Sequence, residues 1–578
     1  MLSRTIRRRD TGASPAFPED LHPLLRRLYA NRGVCEPTDL DLGLARLIPV
    51  SQLGGIDAAV DLLCEHYRRG SRIVVVGDFD ADGATSTALV VRQLTRLGFK
   101  NVTFLVPNRF QYGYGLTPEI VQLAAEVRPG LIVTVDNGIS SHAGVAAASA
   151  LGIETLITDH HLAAASLPAA NAIVNPNSPG DAFPSKALAG VGVAFYLMAA
   201  LTRAMVERGL SSNPPPVAEL LDLVALGTIA DLVPLDRNNR VLVHQGLRRI
   251  RAGRCVAGIR ALLEAANCVP ANCVASDLGY QIGPRLNAAG RLDDMSIGIQ
   301  CLLTDDPHTA RLLAARLSQL NSDRKELELQ MQQEALLAIA DMRAEDPQLP
   351  LGLCLFDESW HQGVVGLVAS RVKERVNRPV IALARQDEQT LKGSARSVAG
   401  VHIRDVLDTV ATRHPGLIEK FGGHAMAAGL TLPAAGLERF RSEFDAEVRR
   451  WMSVEDTIGV VHSDGSLRQE ELTIDVARLL QQAGPWGQSF PEPLFDGCFE
   501  VRNVRVLGER HLKLEVRSAD GSGSASCEAI AFRHFDHDDA PEVQRDSRVE
   551  LAYRLDVNRF NGAERLQLVV EYLRVLSG

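Results

Sequence analysis

No Cys-X-X-Cys pair occurs anywhere in the 578 residues. The nine cysteines are scattered, and the closest two, Cys268 and Cys273, have no matching pair elsewhere. That excludes a thiolate zinc site and a disulfide framework, and it suits a reducing compartment. Long apolar runs are also missing. The most apolar stretch, Gly190 to Leu201, is too short to cross a bilayer. The basic start, Met1 to Arg9, leads into Asp10-Thr-Gly-Ala-Ser-Pro, where a secretion leader would carry its apolar segment. A soluble cytoplasmic protein with no membrane attachment is therefore expected. Positive charge is not in excess either: the formal net charge of −9 excludes indiscriminate coating of DNA but leaves room for a basic channel. Internal repeats and low-complexity tracts are lacking, and nothing indicates an obligate assembly, so a monomer is expected.

What is present starts with 46% hydrophobic residues, ample for several cores. At ~150 residues per domain, about three or four domains are expected. The chain is organised around Ile73-Val-Val-Val-Gly-Asp-Phe-Asp-Ala-Asp-Gly83. An apolar run of strand character ends at Gly77, three acids (Asp78, Asp80, Asp82) alternate with other residues, and a helix is expected from about Ala84. Three later stretches repeat the pattern of an apolar segment running into acidic or imidazole groups. They are Leu131–Val135 before Asp136-Asn-Gly, Thr155–Thr158 before Asp159-His-His, and Leu223–Ala230 before Asp231. Such groups at the carboxyl edge of one parallel sheet sit where these folds place ligands.

Strand and helix signals alternate from residue 56 to about 174, which predicts a doubly wound α/β domain over 56–305 behind an N-terminal cap at 1–55. A segment without Gly or internal Pro predicts a connector helix over 306–346. A second α/β domain is expected over 347–453, and short β-rich runs bounded by Gly, Asp and Pro predict a small barrel or sandwich over 454–578.

Carboxylates this dense repel one another, and a cation is the economical reason for holding them together. An Asp after a strand is often only a helix cap, and Asp136 and Asp159 each allow that reading. Capping does not explain a triple Asp combined with Asp-His-His and two further placed acids. Mixed carboxylate and imidazole donors without thiolate suit Mn²⁺ or Mg²⁺. Carboxylates such as Asp80, Asp82 and Asp136 could bridge two ions, an arrangement that serves phosphoester hydrolysis.

Asp78-Phe-Asp-Ala-Asp-Gly, Val135-Asp-Asn-Gly, Asp159-His-His and Gly-Thr-Ile-Ala-Asp231 resemble the motifs of the DHH phosphoesterase superfamily. Pro107–Leu116, Gly283–Arg291, Lys392-Gly-Ser-Ala-Arg-Ser397 and Gly422-Gly-His-Ala-Met-Ala-Ala-Gly429 resemble its single-strand-specific exonuclease members, from about residue 50 to the C-terminus. The resemblance implies a DHH domain, a DHHA1 domain and an OB-type barrel, and 5′→3′ degradation of single-stranded DNA to mononucleotides in recombination and repair. It also implies a single-strand-binding protein and a RecQ-type helicase as partners. Carried over onto this chain, Asp80, Asp82, Asp136, His160 and Asp231 are the expected ligands of two Mn²⁺ or Mg²⁺ ions. Asp78 and His161 are expected as ligand or supporting groups, with His161 a candidate for proton transfer or for merely orienting His160. Several superfamily members carry a His four residues before the middle acid of the first motif; Val76 stands here, and the split of ligands between two ions stays open.

Within Lys392–Ser397, Ser394, Arg396 and Ser397 offer hydroxyls and a guanidinium fork for a terminal 5′-phosphate, although such a tetrapeptide alone is more often a turn. Gly422, Gly423 and His424 form a glycine-rich loop suited to the same phosphates, or a packed glycine pair. Arg109, Tyr112 and Tyr114 combine charge with aromatics for a nucleotide, or pack a loop. Arg285, Asn287 and Arg291 resemble further DNA contacts. Arg248, Arg249, Arg251 and Arg254 read as a solvated helical face. The barrel, with Phe532, Phe535, Tyr553 and Phe560, is either a single-strand guide or a protein-docking module. Two rivals stand beside the exonuclease: a DHH/DHHA1 phosphodiesterase of cyclic dinucleotides or short oligoribonucleotides, and a non-enzymatic replication or repair scaffold.

Overall fold

The computed structural model describes residues 4–10, 17–107, 112, 115–164, 166–345, 349–519, 526–536, 541–559 and 563–576. Arg109, Tyr114 and Phe560 lie outside them. Two compact units result: Asp10–Asn321 with Arg478–Pro493, and Met1–Arg9 with Ser322–Ala477 and Leu494–Gly578. The chain opens with strand β1 (Arg4–Arg8), which pairs in parallel with residues 459–463 of the latter unit.

The first unit begins with helices α1 (Pro23–Ala30) and α2 (Ile56–Arg69). The alternation expected from sequence follows: β2 (Ile73–Gly77), α3 (Ala81–Arg96), β3 (Val102–Leu105), α4 (Pro118–Ala125), β4 (Leu131–Val135), α5 (His142–Ala150), β5 (Glu154–Thr158) and β6 (Ala172–Val174). The five strands are parallel in the order β3-β2-β4-β5-β6. Every residue of β2 and β4 is buried, as apolar strands covered on both faces must be. The order reverses between β2 and β4, so the loops after these two strands part to opposite sides and leave a crevice at their carboxyl ends. The motif acids Asp78 to Asp82 and Asp136 follow these two strands.

Helices follow, among them α6 (Gly190–Glu207), α7 (Leu221–Ala230), α8 (Arg237–Arg251) and α9 (Ala257–Ala265). Helix α6 is the one described helix long and apolar enough to cross a membrane, and 61% of it is buried inside the protein. The apolar run before Asp231 shares a motif pattern with three strand ends, but it reads as helical over Val217–Ile229 and is a helix, with Asp231 as its C-cap. Leu221 to Ile229 are all buried, so no polar face reveals a 3.6-residue period. Helix α7 packs on α3, and that packing brings Asp231 to the sheet edge.

The expected connector is a helix over Pro307–Glu345, and the division between the units falls within it at Asn321/Ser322. In the second unit β7 (Leu353–Phe356), β8 (Val380–Arg385), β9 (Thr390–Arg396), β10 (Lys420–Gly423) and β11 (Ala427–Pro433) form a sheet of order β10-β11-β9-β8-β7. Only β7 and β8 are parallel. Strand β12 (Gly459–Ser463) receives β1. Then β13 (Phe495–Leu507), β14 (His511–Ser518), β15 (Cys527–Ala531), β16 (Arg548–Asn558) and β17 (Arg565–Leu576) close a five-stranded barrel. Closure removes the free edges that would otherwise invite pairing with other chains.

Candidate active site

The acids are positioned by backbone geometry first. Asp80 is the N-cap of α3, its Oδ1 accepting the Gly83 N–H at 3.0 Å. Asp82 lies in the first turn, buried, and accepts the N–H groups of Gly190 (2.6 Å) and Val191 (3.0 Å) at the start of α6. Asp78 is buried, with Oδ1 accepting the Phe79 N–H at 2.8 Å. Asp136 leaves β4 with φ +61°, a left-handed turn that Asp tolerates better than most residues. It lies against Gly190, where a β-carbon would stand 2.6 Å from the Asp136 side chain. Only glycine allows α6 to start there.

The His pair is arranged by Asp159. This buried carboxylate accepts the N–H groups of Ile139 (2.9 Å), His160 (2.7 Å) and His161 (3.0 Å), and its Oδ1 is 2.7 Å from His161 Nδ1. His160 Nε2 then lies 3.1 Å from Asp136 Oδ1 and 3.5 Å from Asp231 Oδ2. Three sets of donor atoms converge to within 4.8 Å of one another: Asp136 with His160 and His161, Asp82 with His160 and Asp231, and Asp78 with Asp80 and Asp136. Asp136 and His160 each belong to two sets.

The electrostatics follow from this crowding. Burial, then the charge of Asp80, pushes the Asp82 carboxyl up to about 7. Burial, then Asp82 and the other acids, pushes Asp136 and Asp231 well above the ordinary carboxylate range. Asp159 goes the other way: burial raises it, but the His161 hydrogen bond and charge outweigh that and hold it low. Burial disfavours the charged His161 ring, yet Asp159 and the neighbouring acids raise it overall. Hard oxygen donors with two imidazoles and mutually repelling charges fit a divalent cation such as Mn²⁺ or Mg²⁺, and all seven are brought to one sheet edge.

This arrangement has close counterparts. The model of the DHH family N-terminal domain matches residues 72–228, that of the DHHA1 domain residues 350–450, and that of the RecJ OB domain residues 463–572. The single-stranded-DNA-specific exonuclease RecJ of Salmonella typhimurium is 53% identical over 572 residues, covering 98% of both chains. The chain belongs to the RecJ family. The RecJ of Haemophilus influenzae is 47% identical, with 100% of each chain covered. Thermus thermophilus RecJ in complex with Mn²⁺ superposes with a TM-score of 0.78 at 33% identity, covering 96% of this chain and 76% of that one. The Mg²⁺ complex gives 0.73 at 32% identity, covering 96% and 75%.

RecJ-like residues outside the cluster fall into different places. Asn287 Oδ1 accepts the Ala81 N–H at 2.8 Å and so anchors the acidic loop. Arg285 donates to Ser318 Oγ (3.1 Å) and to Gln281 O, and Arg291 closes the same helix, Gly283–Leu292. Tyr112 packs against the core cluster containing Val76 and Ile120, the loop-packing role.

In the second unit, Lys392, Ser394 and Arg396 share one face of β9. Arg396 Nη1 donates to Ser394 Oγ (2.9 Å) and Ala395 O (2.8 Å), and burial lowers its pKa. Ser394 pairs across the sheet with Gly429, and Gly429 with Gly422. Directly opposed residues point to the same face, so the row beside Ser394 carries no side chains. A β-carbon on Gly422 meets nothing within 4 Å, and one on Gly429 meets only Gly393 O at 3.9 Å. Gly423 differs: with φ +146°, its β-carbon would lie 2.4 Å from Ala427 O. His424 follows in the exposed turn, its N–H donating to Ala427 O. Ser397 is buried, its hydroxyl donating to Val401 O (2.7 Å), and it fixes the turn after β9.

Sequence reading left the part played by three residues unassigned, although Asp159 and Gly429 stand within its motifs. Gly429 completes the open shelf, Asp159 orients the His pair, and Gly366, where a β-carbon would stand 3.0 Å from Arg396 Nη2 and Ser394 Oγ, lets the start of helix Val365–Val376 pack beside them. Strand alternation could have flagged Gly429; no local signal marks Gly366.

Proposed function

We propose that this chain is a metal-dependent exonuclease that degrades single-stranded DNA from its 5′ end to 5′-mononucleotides, serving recombination and repair. The observation that carries the reading is the convergence of Asp78, Asp80, Asp82, Asp136, Asp231, His160 and His161 at the carboxyl edge of one parallel sheet, in a chain that follows a RecJ over nearly its whole length.

Asp80, Asp82, Asp136, His160 and Asp231 would hold two ions. A divalent cation in this site supplies water activation and charge neutralisation for a phosphoester displacement. Asp159 fixes Nδ1 of His161, so its Nε2 is the atom that would pass a proton or steady charge on the phosphoryl oxygens. Asn287 keeps the acidic loop from drifting. Ser394, Arg396 and the shelf of Gly422 and Gly429 take the strand's terminal phosphate, since close backbone approach and a guanidinium fork suit that group. Gly423 and Ser397 hold the shape of this pocket, and His424, Arg285 and Arg291 are further contacts along the strand. A RecQ-type helicase and a single-strand-binding protein would present such strands in the cytoplasm.

A time course with Mn²⁺ or Mg²⁺ tests the reading, comparing a 5′-phosphorylated single strand, the same strand blocked at its 5′ end, and a cyclic dinucleotide. Mononucleotides released only from the open 5′ end, and lost in Asp136→Ala, are expected. Turnover of the dinucleotide alone would move the chain to the phosphodiesterase branch, and DNA binding without turnover would make it a scaffold.

A further inference from the structure

The arginines that read as a solvated face are not all solvated. Arg251 Nε donates to Cys273 O at 2.7 Å, and Arg249 is half-buried with its Nε enclosed and without a partner. Arg249 instead helps line a cavity of about 330 Å³, together with Arg92, Arg96, Arg254, Arg260 and Arg311. The acids in the lining are Glu219, Glu264 and Asp305. Two are already committed: Asp305 to Arg92 (2.8 Å) and Glu219 to Arg96 (3.7 Å). Four guanidinium groups therefore face two carboxylates, Glu264 in the lining and the buried Asp222 near Arg249, and the cavity keeps a surplus of positive charge.

The same cavity receives the start of α9, with Val256 and Ala257 in its lining. Val256 is the N-cap and has no side-chain acceptor; its own N–H is taken by the buried Asp222 Oδ2 at 2.7 Å, and the N–H groups of the first turn lack the usual cap. An uncapped helix start beside clustered arginines is a ready anion site, and phosphate matches it best. The described lining contains no aromatic residue, so it offers no surface for stacking a base.

The cavity is separate from the acidic cluster. Helix α3 begins at the cluster with Asp82 and reaches the cavity with Arg92 and Arg96. Ten helical residues span about 15 Å. Helix α7 runs between the same two places, with Glu219 just before its start and Asp231 at its end.

We propose that this cavity binds a compact polyphosphate anion, either inorganic tripolyphosphate or the phosphate tail of a nucleoside polyphosphate. Adjacent phosphates concentrate their charge within a concave site of this size, whereas a DNA strand spreads its charge along its length. The inference is independent of the exonuclease reading.

The test is calorimetric titration of the full chain in chelator, so that phosphate carried on cations contributes nothing. The probes are tripolyphosphate, a nucleoside triphosphate, and an acidic peptide of equal charge. Arg254 and Arg311 are both exposed, so Arg254→Glu/Arg311→Glu should fold normally, as circular dichroism will show. In an Arg396→Ala background, which removes the pocket proposed for the strand's terminal phosphate, the chain should still bind tripolyphosphate, and the added double substitution should weaken that binding at least tenfold. Tighter binding of the nucleoside triphosphate would identify the nucleotide as the source; equal binding would identify the bare phosphates. No binding in the Arg396→Ala background, binding there that the double substitution leaves undiminished, or binding of the peptide alone would each overturn the proposal.

Discussion

Asp159 Oδ1 lies 2.7 Å from His161 Nδ1 and also accepts the His161 backbone N–H at 3.0 Å. One carboxylate thus fixes both the position of this residue and the tilt of its ring. Replacing an orienting carboxylate of this kind costs about 10–100-fold in activity or metal affinity. Asp159→Asn is expected to lower kcat within that range and to change KM little. A KM change with kcat intact would place His161 in binding rather than chemistry.

Asp136 sets a conflict between stability and function. Burial and the neighbouring acids oppose its charge when no cation is bound. Asp136→Asn keeps a residue that tolerates φ +61° and removes that charge. In chelator the variant should melt later than wild type, by a free energy on the order of 1 kcal/mol. With Mn²⁺ its exonuclease rate should fall by more than about a hundredfold. Melting curves with and without the ion check both halves.

Gly422 and Gly423 are neighbours with opposite expectations. A methyl at Gly422 enters open space, so Gly422→Ala should change stability by less than about 0.5 kcal/mol. Its effect should be a raised KM for 5′-phosphorylated strands, since only substrate would meet the methyl. Gly423→Ala meets Ala427 O and a left-handed φ, and should cost about 1–3 kcal/mol of stability. Equal stability losses in the two variants would remove the argument for a shelf.

Asp222 gives a pH signature away from the acidic cluster. It is fully buried; Oδ2 accepts the Val256 N–H at 2.7 Å, and Oδ1 has no partner. Burial raises its pKa above the ordinary 3.8. Above 3.8 the unfolded chain releases this proton more readily than the fold, so the stability it contributes is present at low pH and lost as pH rises through the raised value. Asp222→Asn, which cannot ionise, should therefore gain on wild type from pH 4.5 to pH 8 in urea melts. A constant difference across that range would mean that the carboxyl titrates normally.

The parallel sheet and three of the four acidic motifs were legible because each is contiguous. An apolar strand announces itself by composition, and the residue after it lies at the carboxyl edge by construction. The barrel strands were legible for the same reason: short runs bounded by turn residues. Val217–Ile229 reads as helical too, but a helix buried all round shows no period that would tell which face meets the sheet. Asn287 and Ser397 matched substrate motifs, yet their hydrogen bonds go to Ala81 N and Val401 O.

By itself, then, the sequence determined which residue types gather at the sheet edge and what chemistry they suit, because those facts depend on local order and on the donor atoms. Tertiary structure alone decided that Asp231 reaches the sheet edge through the packing of α7 on α3, that Asp82 accepts the N–H groups of Gly190 and Val191, and that Gly422, Gly429 and Ser394 form one row. It likewise turned Arg249 inward. These depend on which distant surfaces pack together, and packing is set by complementary shape and burial across the chain, which no local pattern encodes.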